Sequence, residues 1–346
     1  MSRPFDLRSV PGTDPTSIYR YRDGLYAADL LACALVHLDF FSWLDRAPST
    51  LAEICQNFSI AMRPADVMLT LFTAMNYVRK SGETFRLTEL GREHLVKGSP
   101  WYIGPYYGSL KDRPVCRDFL QVLRSDKPAN WGSYEDEKDW ARAMEDPAFA
   151  DSFTAAMDCR GVYLSQAVAK ALDLAASRKL LDIAGGSGIY ACSLVTHHPH
   201  LTAAVYEKAP VHQVAAKALA KRGCAGRVEV IEGDMFAQDL PKGFDLHLFS
   251  NVLHDWDDQT VQTLLNKSFS ALSPGGTLII HDVIINEDKS GPLPNAAYSA
   301  MLMHATEGKC YSVGEYYSGL TEAGFNGFTW KNTAADRSII TAKKQA

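Results

Sequence analysis

From Lys179 onward, short apolar runs alternate with stretches long enough for a helix: "KLLDIA" (179–184), "TAAVYE" (202–207), "RVEVIEG" (227–233), "FDLHLFS" (244–250) and "GTLIIHDV" (276–283). Parallel strands need a crossover of a dozen or more residues, usually a helix, so this rhythm predicts a doubly wound α/β sheet. The last two runs, "GFTWKN" (327–332) and "RSIITAKK" (337–344), lie too close for a crossover. They are expected to pair antiparallel at the sheet edge.

The first run breaks into a glycine-rich bend, "AGGSGIYA" (184–191). Gly186, Gly188 and Ala191 satisfy a G-x-G-x-x-G/A fingerprint, and Glu207 lies where the ribose-binding acid of a dinucleotide site would stand. A nicotinamide oxidoreductase is therefore one reading. Three features favour a different cofactor. Asp182 sits inside the strand just before the bend, where a carboxylate repels a pyrophosphate and suits an ammonium group. "EGDMF" brings Asp234 and Met235 to the carboxyl edge of the sheet, where open α/β sheets bind ligands. "SNVLHDWDD" (250–258) places His254 and Trp256 at the next strand end, where a helix begins. S-adenosylmethionine carries an ammonium, a ribose diol and an adenine but no phosphate, and it fits acids at consecutive strand ends better than NAD does.

The N-terminal third reads as helical. Leu25, Ala28, Leu31, Leu35 and Leu38 recur at helical spacing, Thr50 and Glu53 form a capping-box pattern, and Pro64 suits a helix start. "VRKSGETFRL" alternates around a Ser81-Gly82 turn. Two short helices followed by a hairpin outline a winged helix, a shape that often binds DNA. Residues 1–100, however, hold eleven Lys/Arg against eleven Asp/Glu, and the helix that would enter a groove is apolar. Without a basic face to neutralise phosphates, the module is better read as a packing or dimerisation unit. The net charge of −5 likewise gives no reason to expect a nucleic-acid or anionic-membrane partner. The chain is expected to divide into residues 1–100 (winged-helix-like), 101–172 (a helical linker contributing to an acceptor pocket) and 173–346 (the sheet domain). A polar, aromatic segment runs through "NWGSYEDEKDWARAM" (130–144).

Seven cysteines with no CxxC spacing point to free thiols in a reducing cytosol and no zinc site. Charges interrupt the longest apolar stretch and the N-terminus is polar, so neither a membrane span nor a signal peptide is expected. "HHPH" (197–200) reads as exposed histidines near a helix end rather than as metal ligands.

"LLDIAGGSG", "YEKAPV", "GDMF", "LHDWDD", "LSPGGTLIIHD" and "EAGF" follow one another in order. With this ordered set the chain resembles the two-domain S-adenosylmethionine-dependent O-methyltransferases of plant phenylpropanoid and bacterial secondary metabolism, over essentially its whole length. The resemblance implies a class I methyltransferase sheet, a homodimer through the N-terminal module, and a small aromatic or apolar acceptor. It implies that Ala184 and Gly185 pass the methionyl part of the cofactor, that Glu207 holds the ribose, and that Asp234 and Met235 bind adenine. Ser250 stands where plant members carry a lysine near the cofactor. His254 would be the general base, with Asp282 at the first of two flanking acid positions. At the second, in "EGKCYS", Cys310 stands in place of the usual Glu, and Glu307 is three residues earlier. Phe153 and Met157 match a helix that lines the acceptor pocket.

Other residues keep two readings. Trp256 suits either adenine packing or a structural role. Tyr298 and Met301, in "NAAYSAMLMHATEG", suit the acceptor pocket, the core, or both. An imidazole base favours a phenol- or enol-like hydroxyl, because an aliphatic alcohol ionises too far from its range. The same fold and cofactor also serve N-, S- and C-methylation and non-methylating reactions.

Overall fold

The computed structural model describes residues 6–129 and 144–345, so most of the polar segment at 130–144 lies outside the described residues. The C-terminal part is built on a seven-stranded sheet. Its strands are β4 (Lys179–Ile183), β5 (Thr202–Glu207), β6 (Val228–Glu232), β7 (Leu246–Ser250), β8 (Thr277–Asp282), β9 (Asn326–Asn332) and β10 (Ser338–Lys343). Their order is β6-β5-β4-β7-β8-β10-β9. The first five strands are parallel, and β10 runs antiparallel to both β8 and β9. The closing hairpin forms as expected, with β10 lying inside the sheet and β9 at the edge.

Period-two alternation sends strand residues to two apolar layers. Leu181, Ile183, Phe249, Leu278 and Ile280 pack on one face with the Asp258–Ala271 and Val313–Ala323 helices. Leu180, Val205, Leu248, Ile279 and Ile339 pack on the other with the Ile189–His197 helix and the long Pro147–Ala171 helix. Burial on both faces explains why the central strands are almost wholly apolar. The long helix starts at Pro147, with the Asp146 side chain accepting from the Phe149 N–H as N-cap. It lies close to the Ile189–His197 helix because residue 161 is glycine. A Cβ there would fall 2.5 Å from Ile189 Cγ2.

The N-terminal helices form a third apolar cluster. The Leu51–Phe58 helix begins at the expected capping box of Thr50 and Glu53. The Met62–Ala74 helix is followed by the hairpin β2 (Val78–Ser81) and β3 (Thr84–Leu87), to which the short β1 (Ser49–Thr50) adds a third strand. This cluster also takes in residues from the other end of the chain: Val283, Ile285, Cys310 and the buried side of the Leu293–Ala305 helix. Chain from both ends therefore meets beside the carboxyl edge of the sheet. Among the described residues no helix is long and apolar enough to cross a membrane.

Candidate active site

The carboxyl ends of β4, β5, β7 and β8 bring Asp182, Glu207, Ser250 and Asp282 to one edge. The glycine bend follows β4. Ala184 and Gly186 both have positive φ, and the Ala184 N–H donates to the Tyr206 carbonyl at 2.9 Å. Residue 185 must be glycine for a packing reason: a Cβ there would fall 2.6 Å from the Asp182 carboxyl carbon. Asp182 is 1 % exposed. Its Oδ2 accepts from the Ala191 N–H at 3.2 Å, while Oδ1 is buried with no partner. Glu207 Oε1 accepts from the Gly186 N–H at 2.9 Å and Oε2 from the Lys208 N–H at 3.1 Å.

Burial pushes both acids up to about 7, against the pull of those N–H donors. Among the described residues neither is paired with a cation. A buried acid with an orphaned oxygen and a half-buried one beside it, neither with a counter-ion, suit an ammonium and a sugar diol. A diphosphate would be repelled there.

Asp234 turns back on its own loop, with Oδ1 accepting from the Phe236 N–H at 2.8 Å. Met235 is buried behind it, and the Trp256 ring meets Phe236 edge-on with centroids 4.6 Å apart. These side chains form one apolar wall. Ser250 Oγ lies 2.8 Å from His281 Nδ1 and accepts from Asn251 Nδ2 at 3.2 Å. Asn251 also donates to the Tyr190 hydroxyl, and its Oδ1 is buried and unpartnered.

His254 lies on a single 3-10 turn, Leu253–Asp255, and is 2 % exposed. Its Nδ1 donates to Asp282 Oδ1. That carboxylate is itself held by the Val283 N–H at 2.7 Å and by the Tyr316 hydroxyl, which donates to Oδ2 at 3.2 Å. Burial disfavours charge on the His254 ring, but Asp282 and Asp255 outweigh it and raise its pKa. Burial likewise opposes charge on Asp282, and the His254 ring and the Val283 N–H overcome it, holding that carboxyl below its ordinary value. The tautomer this favours carries its proton on Nδ1 and leaves Nε2 as the acceptor.

The loop after the Leu293–Ala305 helix supports the histidine from behind. A Cβ on Gly308 would fall 2.1 Å from the His254 carbonyl oxygen and 2.6 Å from the Trp256 nitrogen. The N-terminal half holds this loop in place. Arg63 Nη1 donates to the Gly308 carbonyl at 2.6 Å. Lys309, buried, bonds to Asp66 at 3.0 Å and to Glu315 at 2.6 Å, and Lys289 reaches the same two carboxylates. Gly308→Ala is expected to lower turnover by about tenfold or more, because angstrom-scale misplacement of a reacting group is costly. Steady-state kinetics beside the melting temperature would separate this from unfolding.

Several sequence expectations land elsewhere. Glu307 is turned outward onto Lys127, 3.3 Å from its Nζ, with its side chain 44 % exposed. The second acid beside the imidazole is Asp255, whose Oδ1 lies 3.5 Å from Nε2. Asp255 is left free to face the imidazole because the following helix begins later and Asp257 caps it. Cys310 is buried, and burial followed by the nearby Asp282 carboxylate pushes its thiol far up, so it is a neutral packing group. Met301 contacts Arg22 through its sulfur, and the Tyr298 ring meets His254 edge-on at 5.7 Å. Phe153 stacks on Phe149, and Met157 is half-buried on the same helix. The three histidines of "HHPH" bond to backbone carbonyls, and no group of metal-ligand residues occurs among the described residues.

Two residues that the sequence did not single out join the site from the long helix. Asp158 accepts from the Ser187 hydroxyl and pairs with Arg222, tying the helix to the glycine bend. Arg160 Nη1 donates to the Tyr298 hydroxyl at 3.3 Å. The only signal in sequence was a pair of charges in an otherwise apolar stretch, "AAMDCRGVYL".

Residues 123–326 match the family model described as an O-methyltransferase domain. The 3-hydroxy-5-methyl-1-naphthoate 3-O-methyltransferase of Streptomyces sahachiroi is 30% identical over 312 residues, covering 90% of this chain and 89% of that protein. A crystal structure of an O-methyltransferase family 2 protein from Planctomyces limnophilus, in complex with apigenin, superposes with a TM-score of 0.88 at 31% identity, over 99% of this chain and 100% of that one. Human N-acetylserotonin methyltransferase, crystallised with S-adenosylmethionine, shares the fold at a TM-score of 0.62 and 23% identity, over 98% of this chain and 100% of that one. With this match spanning sheet, glycine bend and histidine turn, the chain belongs to the S-adenosylmethionine-dependent O-methyltransferase family.

Proposed function

We propose that this enzyme methylates a phenol- or enol-like hydroxyl of a small aromatic metabolite, with His254 as general base. The observation that carries this reading is the buried His254–Asp282–Tyr316 chain at the same sheet edge as the two cation-free acids of β4 and β5. When bound, S-adenosylmethionine supplies an already activated methyl group. Asp182 and the backbone of Ala184 and Gly185 would hold its methionyl end, Glu207 its ribose, and Asp234, Met235 and Trp256 its adenine, with Ser250 nearby. His254 Nε2 takes the hydroxyl proton while Asp282 stabilises the resulting imidazolium through Nδ1–H. Phe153, Met157 and Tyr298 line the acceptor side.

The N-terminal module, read as a winged helix, is proposed to pair two copies. This reading is supported by the exposed Ile18, Tyr21 and Leu25 and by Trp101 and Tyr106. A cytosolic setting is supported by the free thiols.

Calorimetry with S-adenosylhomocysteine and with NADH tests the cofactor. Binding of the first and not the second is expected, and the reverse would end the reading. The same titration carries a pH signature. Asp182 and Glu207 sit near 7 without ligand and must ionise to receive an ammonium and a diol. Affinity should therefore fall from pH 8 to pH 6 by roughly tenfold for each acid that ionises on binding. In the ligand-free protein the same raised values mean that stability is lost as pH rises from the ordinary carboxylate range through 7.

A further inference from the structure

Tyr298 separates two arginines that are unequally satisfied. Arg337, whose guanidinium lies 5.3 Å from the Tyr298 ring centre, is paired with Asp23 at 2.8 Å. Arg160, at the Tyr298 hydroxyl, makes no ion pair among the described residues. Its Nη1 bonds to a neutral oxygen and its Nε is buried with no partner at all. Arg160 is half-buried, and a guanidinium with a buried, unpartnered Nε and no counter-charge is costly unless something arrives to satisfy it. Its position is informative, because the ring of Tyr298 that bonds to Arg160 at one end meets the His254 ring edge-on at 5.7 Å. One aromatic side chain thus spans the gap between the unsatisfied cation and the imidazole.

Building on the methyltransferase reading, we propose that Arg160 determines acceptor specificity by binding a carboxylate of the acceptor. The preferred substrate class is then a hydroxylated aromatic acid, its acid group reaching Arg160 while its hydroxyl meets His254. A planar guanidinium suits such a group because it can present two parallel N–H donors, and charge-assisted bonds of this kind are the strong ones.

The test uses the full-length protein saturated with S-adenosylhomocysteine and two kinds of probe: ortho- and meta-hydroxynaphthoates, and their methyl esters. The esters keep shape and carbonyl but lose the charge. By calorimetry the wild type should bind at least one acid about tenfold or more tighter than its ester. Arg160→Met should erase that preference, and Arg160→Lys should weaken it by threefold or more while keeping its sign. Equal binding of acid and ester by the wild type, no binding of any acid, or an undiminished preference in both variants would overturn the assignment. Should Arg160→Met fail to bind the homocysteine nucleoside, Arg160→Lys decides alone. If the wild type binds no S-adenosylhomocysteine, the methyltransferase reading falls and this inference with it. If it binds and the preference is absent, only the role of Arg160 is lost.

Discussion

Replacing His254 by Ala is expected to lower turnover of a phenolic acceptor by about 10²–10⁴-fold, the usual contribution of a placed general base. Affinity for S-adenosylhomocysteine should stay within a few-fold, because the carboxylates proposed to hold that ligand stand on β4 and β5. Asp282→Asn should reproduce part of the loss. It keeps the shape but removes the charge that stabilises the imidazolium, and it frees the tautomer that Nδ1 now fixes. The pH profile is a second check. Because neighbouring acids raise the His254 pKa, wild-type activity should climb with pH above the ordinary histidine range, and that limb should vanish in the alanine variant. Full turnover by His254→Ala would show that proximity alone carries the reaction, as for transfer to nitrogen, sulfur or carbon.

Arg337→Met is expected to destabilise the protein by about 3–5 kcal/mol, the cost of leaving a buried charge without its partner. Arg337 is 2 % exposed and Asp23 5 %. The pair joins the Thr16–Asp23 helix to the segment just before β10. The guanidinium is also stacked between Tyr19 and Tyr298, 5.7 and 5.3 Å from their ring centres. The double variant Asp23→Asn, Arg337→Met should recover a large part of the loss, since no buried carboxylate then remains with only the exposed Arg22, at 3.6 Å, to balance it. Urea unfolding of the three variants beside the wild type measures this. A double variant no better than Arg337→Met would locate the contribution in the stacking instead.

Local chemistry made much of the fold legible. The alternating runs, the Ser81-Gly82 hairpin and the Thr50 capping box each depend on neighbours in sequence, and each is present. The position of β10 between β8 and β9 depends on distant contacts. Its trace in sequence is faint: Ile339 and Ile340 are consecutive and both buried, as a central strand requires, whereas Thr329, Trp330 and Lys331 are exposed, as an edge strand permits. The site divides the same way. Asp182, Glu207 and His254 lie at strand ends or just beyond them and could be picked out one by one. Asp158 and Arg160 could not, because their partners stand 29 to 138 residues away. Asp255 gives no local signal because Asp257 fills the capping role beside it, and Glu307 stands near Cys310 in sequence while its side chain turns to Lys127.

The ledge of Gly308 against the His254 carbonyl gives the N-terminal half a share in the chemistry that sequence proximity would never assign to it. A chain cut between the halves would keep the acids of its nucleoside cradle, since Asp182 and Glu207 stand at the sheet edge and Asp158 on the long helix. It would lose Arg63 and Asp66, and with them the brace that keeps the imidazole from drifting. Cofactor capture and proton removal are thus built on separable foundations, and only the second needs both ends of the polypeptide.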